Sequence, residues 1–434
     1  MANSAQARFP YEERMLDNGL RVLAHRDPST PLAAAHLMYH VGSKDEPPGR
    51  RGFAHLFEHL LFQGSLHVPE GEHFRRIQAA GGTLNGTTWF DRTNYWETVP
   101  SGDLDLALWL ESDRMGWFLP AITQAKLDNQ RDVVKNERRQ SYENRPYGLA
   151  VETVLRRAFP DGHPYRHPTI GFMDDLDAAS VDDVRDWFER WYGPNNAVLV
   201  IAGAVEPDLA FRKAEQWFGE IEARPVPPRV SVPEIRAGAA GAEVLSDRVH
   251  AARVYLMHHA PAFPDPAFEP TDVLTSLLAE GRSSRLHRKL VYEQRIAADV
   301  SAFAWPTERA GMLWVIATGR TGVEATELEE AVGEVLAEIR AGTVEEREME
   351  GARNRARRQL VRQLDSVTRR ADLFAHAAVL RGDPDYVNDV FSRYESVSIE
   401  DVQRTAACLA PETRTAVHVV PDGTRAASPD GGEA

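Results

Sequence analysis

Short stretches of alternating hydrophobic and polar residues recur along the chain, and an apolar segment with helical spacing follows each of them. "AAAHLMYHVGS" (33–43) and "AARVYLMHHAP" (251–261) both read as a strand that ends in a turn. "HLFEHLLFQGS" (55–65) follows the first strand, and "TDVLTSLLAEGRSS" (271–284) follows the second. The pattern predicts a strand and then a helix at equivalent places in the two halves of the chain.

The correspondence continues further along both halves. "TLNGTTWFDRTNYWETVP" (83–100) and "AADVSAFAWPTERAGMLWVIATG" (297–319) each predict a strand pair. "SGDLDLALWLESDRM" and "GVEATELEEAVGEVLAEI" then predict helices that begin with acidic residues. Because the strand pairs read as hairpins, we expect an α+β fold of two homologous halves. Each half is predicted to hold a largely antiparallel sheet with helices packed on one side.

A stretch rich in Pro, Gly and Ala separates the two halves. "IEARPVPPRVSVPEIRAGAA" (221–240) breaks both the strand and the helix periodicity, as linkers do. We therefore predict an N-terminal domain over 1–222, a linker over 223–242 and a C-terminal domain over 243–434.

Composition and charge narrow the functional class. The chain has 434 residues and a formal net charge of −15, without a basic patch, so a nucleic-acid partner is not expected. Cys408 is the single cysteine, which excludes a disulfide within the chain and a cysteine-rich zinc site. The N-terminal residues do not read as a secretory signal, and the apolar runs are too short to span a bilayer. We expect a cytoplasmic protein without a membrane partner.

Two histidines and a glutamate interrupt the apolar segment "GFAHLFEHLLFQGS" (52–65). On a helix, His55 and His59 lie one turn apart on the same face and can chelate a single ion. Glu58 borders that face, so that its carboxylate can reach a water molecule without binding the metal. The order H-x-x-E-H is the inverted form of a common zinc-protease motif.

The second half has no such constellation at the equivalent positions. If the fold needed these residues for packing, both halves would need them. The alternative is that the histidines are hydrogen-bonded core residues, but unpaired charge inside an apolar helix is costly. The equivalent positions of the second half hold Asp272, Thr275 and Ser276.

A catalytic zinc ion requires a third protein ligand and an open position for water. The polar segment "ITQAKLDNQRDVVKNERRQSYENRP" (122–146) predicts a long helix, and Glu137 within it is our candidate for the third ligand. Without the motif upstream, Glu137 would be read as a solvated helix residue. His163 is expected to serve the structure of its loop and not to bind the metal.

These motifs together resemble the pitrilysin/insulinase family of inverted zinc metallopeptidases. The similarity is to the short branch that includes the mitochondrial processing peptidases and many bacterial peptidases. It implies one Zn²⁺ per chain, held by His55, His59 and Glu137, with Glu58 as the catalytic base. The matching segments are "GFAHLFEHLLFQGS", "GGTLNGTTWFDRTNYWETVP", "VVKNERRQ", "HPYRHPTIG", "WYGPNNAVLVIAGAV" and "GRSSRLHRKLV".

The segment "GGTLNGTTW" (81–89) is the candidate for peptide binding. A strand edge with small side chains can pair with an extended peptide through its backbone. The resemblance implies that Asn85 contacts the substrate, and we include Gly86 and Thr87 in the same candidate site. Alternatively, Asn85 is a turn residue before Gly86.

The chain departs from the family pattern at two places. Gln130 stands where many members have a glutamate that supports the zinc ligands, which makes the expected site less anionic. Val291 and Ala298 stand where competent members have an arginine and a tyrosine that bind the substrate backbone and the oxyanion. Arg285 and Tyr292 have the same separation but lie six residues too early.

The missing pair suggests a division of labour between two subunits. We expect a zinc endopeptidase that hydrolyses short or unfolded peptides, with leader or targeting peptides as possible substrates. This chain would form a heterodimer with a homologous subunit that supplies the arginine and tyrosine. Two alternatives stay open: a non-catalytic scaffold subunit, and a homodimer that is active alone, for example with Arg285 in place of the missing pair.

Overall fold

The computed structural model describes residues 8–229, 232–233, 235 and 241–423. Contacts between Cα atoms divide the chain into two compact units. The first comprises residues 1–137, 167–232 and 357–395, and the second comprises residues 138–166, 233–356 and 396–434. Each unit therefore includes segments that lie far along the chain from its main part. The domain limits drawn from the sequence, which follow the chain in order, stay a prediction.

The first unit is built around a six-stranded sheet with the order β1-β2-β6-β3-β5-β4. All neighbouring strands are antiparallel except β2 and β6. Strand β3 pairs with β5 along its whole length and with β6 from Ala33 to Tyr39, and its buried residues 33–39 form the centre of the core. The strands are β1 (Glu12–Met15), β2 (Arg21–Arg26), β3 (Leu32–Tyr39), β4 (Thr83–Thr88), β5 (Thr93–Pro100) and β6 (Ala197–Gly203).

The second unit contains a five-stranded sheet with the order β7-β11-β8-β10-β9. Only β7 and β11 run parallel, and the other neighbours are antiparallel. Apart from β1, the two sheets have the same strand order with the parallel pair in the same place, which confirms the duplicated pattern of the sequence. The strands are β7 (Ala242–Asp247), β8 (Arg253–Ala260), β9 (Ala297–Trp305), β10 (Gly311–Gly319) and β11 (Arg414–Pro421).

Helices cover both sheets. They are α1 (Phe53–Leu60), α2 (Glu72–Ala79), α3 (Leu104–Trp117), α4 (Gln124–Arg138), α5 (Ala150–Ala158), α6 (Met173–Asp177), α7 (Val181–Trp191), α8 (Pro207–Phe218), α9 (Phe268–Ala279), α10 (Ala325–Arg340), α11 (Glu346–Leu364), α12 (Val367–His376), α13 (Tyr386–Ser396) and α14 (Ile399–Thr405). In the described ranges, π-helical turns occur at Arg139–Glu143, His287–Glu293 and Ala377–Arg381. Each helix in the part of the chain that the structure describes is too short or too polar to be a membrane span.

The α+β class predicted from the sequence is confirmed, and the structure adds a feature of the first sheet. Helix α3 contacts β3 and β5 on the face that carries Tyr95 and Glu97. Helix α12, from the end of the first unit, lies on the other face, where Thr368 is hydrogen-bonded to Thr98 at 2.7 Å. This second layer explains why β3 is buried on both faces.

Candidate metal centre

Helix α1 carries the H-x-x-E-H motif and is anchored at its first turn. The Glu46 carboxylate accepts hydrogen bonds from the amides of Gly52 (2.9 Å) and Ala54 (2.8 Å), two of the donors that a helix start leaves without partners. Gly52 has φ +94°, and a Cβ there would lie 2.4 Å from the Ile170 carbonyl oxygen. Only glycine fits this close approach, so the start of the helix is fixed in place.

The apolar face of α1 holds the helix against the core. Leu56, Phe57 and Leu60 are fully buried. The Phe57 ring packs against Tyr192 at 4.5 Å and against Phe118 at 5.6 Å between centroids. With this face in the core, the histidines on the remaining part of the helix point to a partly exposed site.

The structure brings together the three residues that the sequence predicts as zinc ligands. Nε2 of His55 lies 3.8 Å from Oε2 of Glu137, and Nε2 of His59 lies 3.6 Å from the same oxygen. The three candidate ligand atoms all lie within 4.8 Å of one another. Two ligand atoms bound to one tetrahedral zinc ion are about 3.3 Å apart, given metal–ligand distances of about 2.0–2.1 Å. The arrangement therefore fits a zinc ion after small side-chain adjustments.

Burial favours the protonation state that metal binding needs. Burial and the neighbouring His59 lower the pKa of His55 to about 3, and burial also lowers the pKa of His59. Both imidazoles are therefore neutral at pH 7, and only a neutral imidazole nitrogen can bind a metal. One carboxylate and two neutral imidazoles form a set of donors that zinc commonly uses.

Helix α4 presents Glu137 to the histidines. Leu127 and Val134 lie on its buried face, and the Lys126 ammonium donates a 2.7 Å hydrogen bond to the Gln63 carbonyl just after α1. Gln130 is buried two turns before Glu137, and its side chain is hydrogen-bonded to His59. Gln130 thus contacts a candidate zinc ligand, as a residue that orients the ligand would.

Glu58 lies beside the cluster without belonging to it. Its Oε2 accepts a 2.7 Å hydrogen bond from the Thr88 hydroxyl of β4. A Cβ on Gly86 would lie 3.2 Å from Oε1 of Glu58, so the carboxylate rests against β4 between these two residues. Burial raises the pKa of Glu58 to about 7, while the Thr88 hydrogen bond and the charge of Arg92 oppose the increase. A carboxyl group with such a pKa can both accept and donate a proton near neutral pH.

Strand β4 lies at one end of the first sheet, with β5 as its neighbour on one side. Asn85 is exposed and sits within the strand, not in a turn, and its side-chain oxygen accepts a 2.9 Å hydrogen bond from the Gly86 amide. Thr87 is also exposed, and Arg92 donates a 2.9 Å hydrogen bond to its carbonyl oxygen. The candidate peptide-binding residues therefore lie on a strand that also contacts Glu58.

Sequence reasoning missed the contact between Thr88 and Glu58. Gly86 and Thr88 are two residues apart in a strand, so they face the same side. Had Gly86 been assigned to the face toward α1, the alternation would have placed Thr88 there too. His163 belongs to the second unit, where its Nδ1 accepts a 3.0 Å hydrogen bond from the Tyr165 amide. This bond agrees with the structural role expected for His163.

Comparison with known proteins identifies the family of the chain. Residues 21–171 match the family model described as insulinase (peptidase family M16), and residues 178–356 match the model of the peptidase M16 inactive domain. The zinc protease PqqE of Helicobacter pylori is 28% identical over 408 residues, which cover 93% of this chain and 91% of that protein. The zinc protease YmxG of Bacillus subtilis is 23% identical over 407 residues, which cover 94% and 97% of the two chains.

Solved structures agree with these relatives. The crystal structure of a protease from Helicobacter pylori matches with a TM-score of 0.88 and 26% identity, over 95% of this chain and all of that one. A putative M16-like peptidase from Alicyclobacillus acidocaldarius has the same fold, with a TM-score of 0.83 and 20% identity over 96% of this chain and 100% of the other. The H-x-x-E-H helix falls within the part that matches the peptidase model. The chain therefore belongs to the M16 (insulinase) family and is a zinc-dependent metallopeptidase.

Proposed function

We propose that His55, His59 and Glu137 bind the zinc ion and that Glu58 is the catalytic base of an endopeptidase. The observation that carries the proposal is the convergence of these three side chains from two helices, with candidate ligand atoms within 4.8 Å of one another. Zinc bound there would lower the pKa of a water molecule and polarise the carbonyl of the scissile peptide bond. Gln130 orients His59 through their hydrogen bond.

Glu58 moves the protons of the reaction. Its carboxylate accepts a proton from the attacking water, which adds to the carbonyl carbon, and then donates that proton to the leaving amine. The buried position of Glu58 and its raised pKa, near 7, support both steps. Because the Thr88 hydroxyl donates its hydrogen bond to Oε2, Oε1 is the oxygen of Glu58 that would accept the proton from water.

An extended peptide is the substrate that best suits the site. Strand β4 offers a backbone edge beside Glu58, and a peptide that adds to this edge would bring its carbonyls close to the base. Asn85, Gly86 and Thr87 would contact that peptide. Short or unfolded peptides adopt this extended conformation freely, so such peptides, including leader or targeting peptides, are the proposed substrates.

A homologous partner would complete the catalytic machinery. Val291, in the π-helical segment, and Ala298, at the start of β9, cannot donate side-chain hydrogen bonds to a substrate. Arg285 is no substitute, because its buried guanidinium forms two hydrogen bonds with Glu348, at 2.6 and 3.0 Å, and a third with the Thr343 carbonyl. These contacts support a heterodimer over a homodimer in which Arg285 acts on the substrate.

The description of the second half as an inactive domain leaves a scaffold subunit as the alternative. The complete donor set beside Glu58 in the first unit favours the peptidase. The cytoplasmic location expected from the sequence stays a prediction.

Zinc content tests the ligand set. After dialysis against zinc-free buffer, we expect one zinc per chain by mass spectrometry, and a strong loss in Glu137→Gln. Asp132→Asn is the matched control, since Asp132 is an exposed carboxylate of the same helix. If Glu137→Gln and Asp132→Asn contain equal amounts of zinc, Glu137 is not a zinc ligand.

Peptide cleavage tests the division of labour. The zinc-loaded chain is incubated with a mixture of unstructured peptides, alone and with a homologue that carries the arginine–tyrosine pair. We expect cleavage only in the mixture of subunits. Cleavage by the chain alone would support a self-sufficient enzyme, and silence in both cases would support the scaffold.

A further inference from the structure

The second unit contains an arginine-rich groove that the peptidase chemistry does not use. Its volume is about 700 Å³, and it lies between the end of α9, the turn at residues 281–284, the following helical turn and the start of α11. The lining is positive although the whole chain carries a net charge of −15. The charged lining residues are five arginines, Arg282, Arg285, Arg288, Arg347 and Arg355, and three glutamates, Glu338, Glu345 and Glu348.

Two of these arginines form the walls of the groove. Arg285 is buried and joins the turn to α11 through its two hydrogen bonds with Glu348. Arg355 donates a 3.1 Å hydrogen bond to the Ser276 hydroxyl of α9. These contacts hold three segments of the chain around one concave surface.

Gly351 gives Arg355 access to this surface. It lies inside helix α11, where glycine is less favourable than alanine. A Cβ at this position would lie 3.2 Å from Nη1 of Arg355, closer than a side chain comfortably allows. The glycine thus leaves room for a guanidinium in the groove at a cost to the helix.

The other three arginines can bind a ligand. In the described parts of the chain, Arg282 and Arg347 make no ion pair, and both are exposed. Arg288 has one distant pair, 3.8 Å from Glu293, with both side chains more than half exposed. Such a pair contributes little and is easily exchanged for a ligand. Guanidinium groups match the paired oxygens of a carboxylate or a phosphate.

The glutamates of the groove decide between these anions. Glu338 and Glu345 lie among the arginines and would repel a polyphosphate or a nucleic acid. A peptide supplies single carboxylates, which the arginines bind. It also supplies backbone N–H groups, which can donate hydrogen bonds to the glutamates. We propose that the groove binds an acidic peptide segment through Arg282, Arg288 and Arg347, and that this segment belongs to a peptide substrate. This inference rests on the proposed peptidase function for its biological role, but not for the binding itself.

The test measures binding without turnover. Glu58→Gln is titrated with fluorescent peptides that differ only in Glu or Gln side chains, each made with a free and with an amidated C-terminus. We expect the double variant Arg282→Ala/Arg347→Ala to bind the acidic peptides with about tenfold lower affinity. This loss corresponds to one charge-assisted hydrogen bond. The neutral amidated peptide should be unaffected. The two forms of the C-terminus distinguish a side-chain carboxylate from a terminal one.

Arg248→Ala/Arg320→Ala is the control, because it removes two charges of the same unit outside the groove. Equal weakening by both double variants would mean a general charge effect and overturn the proposal. Displacement of the acidic peptide by inorganic phosphate at equal concentration would also overturn it, in favour of a phosphate site. If acidic peptides bind as expected but the chain with Glu58 intact never cleaves them, even with its partner, the peptidase assignment fails. The proposed binding site in the groove is then still supported. If peptides are cleaved but the groove variant binds them unchanged, only the groove proposal fails.

Discussion

Thr88 is predicted to position the catalytic base, and Thr88→Val tests this with little change of shape. Valine keeps the volume of threonine and its preference for strands, but it cannot donate the 2.7 Å hydrogen bond to Oε2 of Glu58. Without this bond the carboxylate can rotate away from the orientation that accepts a proton from water.

The size of the effect follows from the kind of bond. A hydrogen bond to a charged group contributes about 1.5–3 kcal/mol. Each 1.36 kcal/mol in the barrier changes a rate about tenfold, so kcat should fall by about 10- to 150-fold if the bond serves the transition state. KM should change little, because Thr88 lies behind the base and not on the exposed side of β4.

The assay is steady-state cleavage of an unstructured peptide by the zinc-loaded chain together with its homologous partner. Zinc content is measured on the same samples. Thr88→Ser keeps the hydroxyl and should retain most of kcat. Thr83→Val makes the same chemical change at the exposed start of β4 and should be silent. If Thr88→Val matches Thr88→Ser in kcat, the hydroxyl does not position Glu58 and the reasoning is refuted.

Three further predictions concern the base, the core and the half-buried carboxylate of Glu329. Gly86→Ala should lower kcat without loss of zinc, because its Cβ would lie 3.0 Å from two aromatic rings and 3.2 Å from the Glu58 carboxylate. An unchanged kcat would show that β4 can shift to accommodate the methyl group without displacing Glu58. Phe57→Ala should reduce the free energy of unfolding by about 3–5 kcal/mol in denaturant titrations. A loss below 1 kcal/mol would mean that the packing of Phe57 against the core contributes little to stability. The hydrogen bond from His418 helps to lower the pKa of Glu329, so this carboxylate stabilises the fold above its unfolded pKa of about 4.3 and the contribution disappears as pH falls through the folded value. The stability difference between wild type and Glu329→Gln should therefore shrink in acid, and a constant difference would contradict it.

Much of the fold could be predicted from the sequence because its signals are local. The strand and helix periodicities predict the hairpins and the helices after them, and the same pattern in both halves predicts the shared sheet order. The placement of α12 on the second face of the first sheet could not be predicted in this way. It depends on contacts such as Thr98 with Thr368, which lie 270 residues apart in the sequence.

The candidate site shows the same division. His55 and His59 lie on one helix, where spacing alone determines that they share a face. Glu137 comes from another helix, so no spacing could place it beside the histidines. It was a candidate because a zinc site needs a third ligand, and the family resemblance implies the same residue. Thr88 could not be chosen from the sequence, since the face of β4 that meets α1 is set by packing.

The role of Glu58 as the base is tested by comparing the zinc-loaded Glu58→Gln variant with wild type in the presence of the homologous partner. Peptide cleavage is followed by mass spectrometry, and zinc content is measured in parallel. We expect one zinc per chain in both proteins, with cleavage by wild type and none by Glu58→Gln. Cleavage by Glu58→Gln at the wild-type rate would contradict the assignment of the base and the mechanism built on it.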